Sequence, residues 1–105
     1  NLSQFDDADL SSIAMVVATP YHLYVGFDGA NGIRIFRTGN PAAFVQADFE
    51  GRDGCTAPCA SLGAGPITPA DTRIFDAKAL TFATGTSVWA MIGNGTSPAR
   101  LVRLY

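Results

Sequence analysis

A chain of 105 residues has room for one domain with a single modest core, which excludes two independently folded halves. It is 48% hydrophobic and only 15% charged, with a net charge of −2, against ~25% charged residues in an average globular protein, so part of its surface is expected to be covered by a partner. Its seven Lys and Arg residues are scattered, which excludes a phosphate-tracking surface for nucleic acid. The longest apolar run, Ile13 to Ala18, is far short of the ~20 residues of a membrane-spanning helix.

The chain opens with no initiator Met and no charged-then-apolar leader, and so reads as processed, excised or engineered at its start. Residues 1–10 carry Asp6, Asp7 and Asp9 without an apolar period and read as an arm. From Ile13 to Ala18 a β-branched and apolar stretch forms a first strand, stopped by Thr19-Pro20. Tyr21 to Phe27, aromatic and β-branched, forms a second. Asp28-Gly29-Ala30-Asn31-Gly32 accepts positive φ and turns the chain back. Ile33 to Arg37 alternates apolar and charged residues as a third strand. Ala42 to Phe49, with Phe44, Val45 and Phe49, fits a fourth strand or a short helical turn, and the strand is preferred.

Residues 50–70 form a long loop dense in Gly, Pro, Ala and Thr, and loops of that length usually carry function or an interface. Within it Cys55 and Cys59 flank Thr56-Ala57-Pro58, a spacing suited to a small disulfide that would rigidify residues 52–62. Free thiols are the other reading. A metal site needs about four ligands, and a single distant histidine is the only other soft candidate. A disulfide implies an oxidising compartment, hence an extracellular, cell-surface or periplasmic location.

Regular structure restarts at Thr72 to Asp76 and continues through Ala79 to Ala83; Thr84-Gly85-Thr86 then turns the chain as Thr19-Pro20-Tyr21 does. Ser87 to Ile92 and Ala99 to Leu104 are the last strands, joined by Gly93-Asn94-Gly95-Thr96-Ser97-Pro98. No segment keeps a 3.6-residue period, so helix content is expected to be low.

The two halves repeat one another. Ala18-Thr19, Leu23-Tyr24-Val25-Gly26-Phe27 and Arg34-Ile35-Phe36-Arg37 return as Ala83-Thr84, Val88-Trp89-Ala90-Met91-Ile92 and Arg100-Leu101-Val102-Arg103. Tyr24 maps onto Trp89 at a shift of 65 positions and Arg34 onto Arg100 at 66. The apolar strand, Leu23-Tyr24-Val25-Gly26, a Gly/Asn turn and Gly32-Ile33-Arg34-Ile35-Phe36-Arg37 resemble a blade of bacterial β-propeller repeats. Phe36 and Val102 stand where that family often has Trp, and the Ser-x-Asp-x-Gly-x-Thr-Trp box of sialidase-type propellers is missing. The resemblance covers roughly residues 13–37 and 79–103. It implies one all-β domain of antiparallel sheets over residues 1–105, with two blade-like units at about 11–49 and 71–105; a small β-sandwich is the alternative. Propellers close with typically four to eight blades, so two units imply neighbours, as a homo-oligomer or as part of a larger propeller.

The candidate site residues are few. His22 is the only histidine, without a nucleophile fixed beside it. Arg34/Arg37 and Arg100/Arg103 offer planar forks for a carboxylate, but a spacing of three sends the members of each pair to opposite faces of a strand. Tyr21 is placed for sugar stacking, whereas Tyr24 and Trp89, equivalent within strands, are expected in the core. No catalytic residue is assigned: Asp71 and Asp76, or Asp48 and Glu50, are near in sequence without the cleft that glycoside hydrolysis needs. Asp6-Asp7-Ala8-Asp9 and Asp28-Gly29-Ala30-Asn31-Gly32 resemble calcium loops in composition only, lacking EF-hand spacing. Asn1-Leu2-Ser3 and Asn94-Gly95-Thr96 are sequons, and Asn94 sits in a hairpin turn that would tolerate a glycan. The expectation is a secreted or surface-exposed, non-catalytic interaction module that binds a carbohydrate or protein through Tyr21, His22 and the arginines and assembles with other chains. The alternative is a scaffold fragment of a secreted, glycosidase-like hydrolase.

Overall fold

The computed structural model describes residues 10–30, 32–43, 48–49, 59–61 and 70–104, with backbone only at 10, 11 and 59–61. It is all-β and antiparallel. Seven strands, β1 (Leu10–Ala18), β2 (Leu23–Gly29), β3 (Arg34–Thr38), β4 (Cys59–Ser61), β5 (Arg73–Phe82), β6 (Gly85–Gly93) and β7 (Arg100–Leu104), form two sheets. The first sheet has the order β1-β2-β3 and the second β4-β7-β6-β5. No helix among the described residues is long and apolar enough to cross a membrane.

Alternation along the strands creates the core. In the first sheet Tyr24 and Ile35, with Met15, face the second sheet, whose Ile74, Val88, Ala90, Ile92, Val102 and Leu104 complete one continuous cluster. Val25, Phe27 and Phe36 occupy the opposite, outer face of the first sheet, where Phe49 packs on them. The Phe27 and Phe36 rings meet edge to face at 5.8 Å. Ile74 of the second sheet packs directly over Gly26: a Cβ there would lie 2.7 Å from Ile74 Cδ1 and nearer still to Met15 Cγ, so only glycine fits.

A short segment, Asp71 to Ile74, ties the sheets together by backbone. Gly29 N–H donates to the Thr72 carbonyl (3.2 Å) and Ile33 N–H to the Asp71 carbonyl (2.8 Å), while Thr72 N–H donates to Gly93 in the second sheet (2.9 Å). Ile74 N–H donates to Asp28 Oδ1 (2.9 Å). Asp28, read from sequence as part of a turn with calcium-like composition, thus serves as an inter-sheet acceptor within β2.

The repeat is real but its register differs from the reading by sequence. β2 matches β6 at a shift of 65 and β3 matches β7 at 66, because Gly26 pairs with Ile35 as Met91 pairs with Leu101. β1, however, matches β5 at 61: Ile13 pairs with Phe27 and Met15 with Gly26, as Ile74 pairs with Ile92 and Asp76 with Met91, and each strand carries a β-bulge between those two rungs. The Ala18/Ala83 correspondence is therefore superficial. The second hairpin runs further, to Phe82 opposite Gly85, and its turn is Ala83-Thr84 rather than Thr84-Gly85-Thr86.

Two other differences follow from edges. The expected loop 50–70 contributes β4, which pairs with the outer edge of β7 through Cys59–Leu104 to Ser61–Val102, covering backbone groups that an edge leaves unpaired. Of the expected strand Ala42 to Phe49, residues 44–47 lie outside the described residues, and neither Ala42 nor Phe49 is in a strand. Cys55, the Cys59 side chain and Asp6, Asp7 and Asp9 also lie outside them.

Candidate functional site

The loops at one end of the first sheet shape a groove. Between β1 and β2 the Thr19 hydroxyl accepts from the N–H groups of Tyr21 (3.2 Å) and His22 (3.1 Å), and Thr19 N–H donates to the His22 carbonyl (2.8 Å), so a side-chain turn holds the loop. After β3, Asn40 N–H donates to the Thr38 hydroxyl (3.0 Å) and Asn40 Oδ1 accepts from Ala42 N–H (2.9 Å). The two loops meet at Gly39, where a Cβ would be in ordinary contact with the Tyr21 carbonyl at 3.4 Å.

At this contact lies a cleft of about 450 Å³ walled by Pro20, Leu23, Pro41, Ala43 and Phe49, with His22 and Asn40 at its polar margin. An adjoining space of about 450 Å³ shares His22, Asn40 and Phe49 and adds Arg37 and Asp48. His22 is half-buried and its ring meets Tyr24 edge-on at 6.1 Å. Tyr21 is 78% exposed at the rim. The combination is an exposed aromatic, apolar walls and a few side-chain hydrogen-bonding groups, suited to a polar ligand with C–H faces.

The six candidate ligand residues therefore divide. Tyr21 and His22 line the first cleft, and His22 and Arg37 the space adjoining it. Arg34, opposite Phe27 on the other face of β3, donates from Nη1 to the carbonyls of Gly32 (3.1 Å) and Ile33 (3.2 Å), stiffening its own turn. Arg100 donates from Nη2 to Asp71 Oδ2 at 2.7 Å, and the Asp71 carboxylate is buried. Asp71 was considered from sequence only as one of two nearby acids; nothing in a Pro-Ala-Asp-Thr stretch signals a buried ion pair. Arg103 pairs with Trp89 across β6 and β7, on the outer face of the second sheet. Asn94 Oδ1 accepts from Thr96 N–H, Ser97 N–H and the Thr96 hydroxyl, each at 2.9 Å, which organises the β6–β7 turn.

No known family, curated protein or solved structure matches the chain. The site must be read from its own geometry.

That geometry includes a second feature which the sequence reading placed wrongly. Trp89, expected in the core beside its equivalent Tyr24, lies half-buried on the outer face of the second sheet with Met91, Leu101 and Leu80, the last three 44%, 49% and 41% exposed. Its Nε1–H is buried without a hydrogen-bond partner among the described residues. The reason is the way the sheets stack. Both present the same side in the same direction, so the face that carries Tyr24 inward in the first sheet carries Trp89 outward in the last. Among the described residues no three His, Cys, Asp or Glu side chains gather as a metal site.

Proposed function

We propose that the chain is a non-catalytic, secreted or surface-exposed interaction module of the propeller-blade type that binds carbohydrate in the groove between the β1–β2 loop and the segment after β3. The observation that carries this reading is that Tyr21, His22 and Asn40 line one cleft and His22, Asn40 and Arg37 line the space adjoining it. A sugar ring presents C–H groups to an aromatic side chain and hydroxyls to amides and guanidinium groups, and the groove offers both kinds of surface. Among the described lining residues Asp48 is the one carboxylate, and glycoside hydrolysis generally uses two held across a cleft. The blade-type reading is supported by the face-to-back stacking of two equivalent three-strand units, and the oxidising compartment by the Cys55/Cys59 spacing.

The test is titration of the protein with neutral oligosaccharides, followed by calorimetry and by product analysis. Binding is expected to weaken about tenfold or more in Tyr21→Ala, the scale of one lost stacking contact, and comparably in Arg37→Ala, with the thermal midpoint little changed in Tyr21→Ala. Release of shorter sugars, or binding untouched by both substitutions, would refute the proposal.

A further inference from the structure

Among the described residues nothing packs over the apolar outer face of the second sheet, where Leu80, Met91 and Leu101 stay exposed. Two rungs compose its centre. Asp76, Met91 and Leu101 lie side by side across β5, β6 and β7, and so do Lys78, Trp89 and Arg103 one pleat further along. Leu80 extends the apolar surface along β5. By the repeat correspondence these positions match Met15, Gly26 and Ile35, then Val17, Tyr24 and Arg37, which form the face of the first sheet that the second sheet covers. The outer face is thus a copy of a surface built for sheet-on-sheet packing.

Further stacking in the same sense is closed at both ends. Gly26 admits Ile74 and Met15 because it has no side chain; its counterpart Met91 projects from the outer face, so a third sheet cannot seat there as the second seats on the first. At the other end Val25, Phe27 and Phe36, the surface equivalent to the second sheet's packing face, are already buried, with Phe49 packed on them. The outer face also carries one acid and one base on adjacent rungs of β5, Asp76 and Lys78, a charge pattern complementary to itself.

We infer that two copies of the chain dimerise through this face about a two-fold axis that runs across the strands, with β5 of one copy antiparallel over β5 of the other. Such an axis exchanges the two rungs. Asp76 then lies over the partner's Lys78, and Lys78 over the partner's Asp76. Met91 lies over the partner's Trp89, a sulfur–aromatic contact. Leu101 meets the aliphatic stem of the partner's Arg103. The axis along the strands would instead set Lys78 over the partner's Arg103, like charge on like charge. The chosen arrangement also brings the partner's Asp76, an acceptor, to the rung that holds the unpartnered Trp89 Nε1–H. Two-fold dimers are the commonest closed assembly and use one self-complementary patch, and aligned sheets pack face to face with their strands within about 30°.

Sedimentation equilibrium of the purified chain from about 1 μM to about 1 mM tests this, a range that brackets weak and moderate dimers. The wild type is expected to be a dimer in the upper part of the range and Met91→Lys a monomer throughout, with unchanged circular dichroism. Asp76→Lys and Lys78→Asp should each weaken self-association about tenfold, as two ion pairs turn repulsive. An equimolar mixture of these two variants should associate again, since one carries positive and the other negative charge at both positions 76 and 78. The mixture decides the matter even if Met91→Lys fails to fold. A wild type that stays monomeric to about 1 mM, a dimer that persists in Met91→Lys, or variants that fail to associate on mixing would each overturn the inference. None of these outcomes bears on the sugar groove, which lies on the first sheet and is read separately.

Discussion

At the scale of single residues, the pair Gly26 and Met91 shows how one position is used in two ways. Both stand on the same rung of equivalent hairpins, yet the first faces another sheet and the second does not. Gly26→Ala is therefore expected to destabilise the fold by about 1–3 kcal/mol, the usual range for overpacking a filled core. Met91→Ala, at a site 44% exposed, should change the stability of the single chain by less than about 1 kcal/mol. Denaturant titrations of the two variants measure this. The double variant Gly26→Ala with Met15→Ala should recover part of the loss, because Met15 Cγ is the atom nearest the added methyl; losses that simply add would show that the crowding is imaginary. Buried aliphatic positions such as Ile35 and Val102 were legible from alternation. The exposure of Trp89 was not, because a repeat tells which face a residue occupies without telling whether anything covers that face.

At the scale of elements, strands rich in β-branched and aromatic residues declared themselves, and β3, β6 and β7 lie close to where alternation and the Gly/Asn turns put them, whereas β2 starts at Leu23 rather than Tyr21 and runs through Asp28-Gly29 into the expected turn. β5 was read as two pieces because a bulge between Ile74 and Asp76 shifts the pattern by one residue, and period-two reasoning stops at such a shift. β4 was invisible for a different reason: three residues inside a Gly/Pro-rich loop have no period of their own, and only the edge of β7 makes them a strand. The β5–β6 hairpin is held by its tight turn, and Gly85 follows that turn at φ +138° with nothing within 4 Å of where a Cβ would stand. Substitution there is felt only through the backbone. Gly85→Ala should lower stability by about 1–3 kcal/mol without disturbing the core. A variant as stable as the parent would show that the hairpin relaxes into another turn.

For the whole molecule, the Asp71–Ile74 segment makes two sheets into one folding unit. It donates to and accepts from both, and the Asp71 carboxylate fastens Arg100 beneath it. Asp71→Asn is expected to lower stability by about 2 kcal/mol, the magnitude of a hydrogen bond to a charged partner, moderated by an Arg100 side chain that is 28% exposed. Unfolding followed by the single tryptophan, Trp89, reports the second sheet, and far-ultraviolet circular dichroism reports both sheets. The two curves should coincide in the parent; two separated transitions would mean that the sheets are independent. A bulge recurs at the same rung of β1 and β5. Ile13-Ala14-Met15 and Ile74-Phe75-Asp76 share only their first residue, so the two units have this backbone detail in common without a common side-chain pattern. Either unit alone would expose the apolar face that the other now covers, so neither three-strand unit is expected to fold without its neighbour.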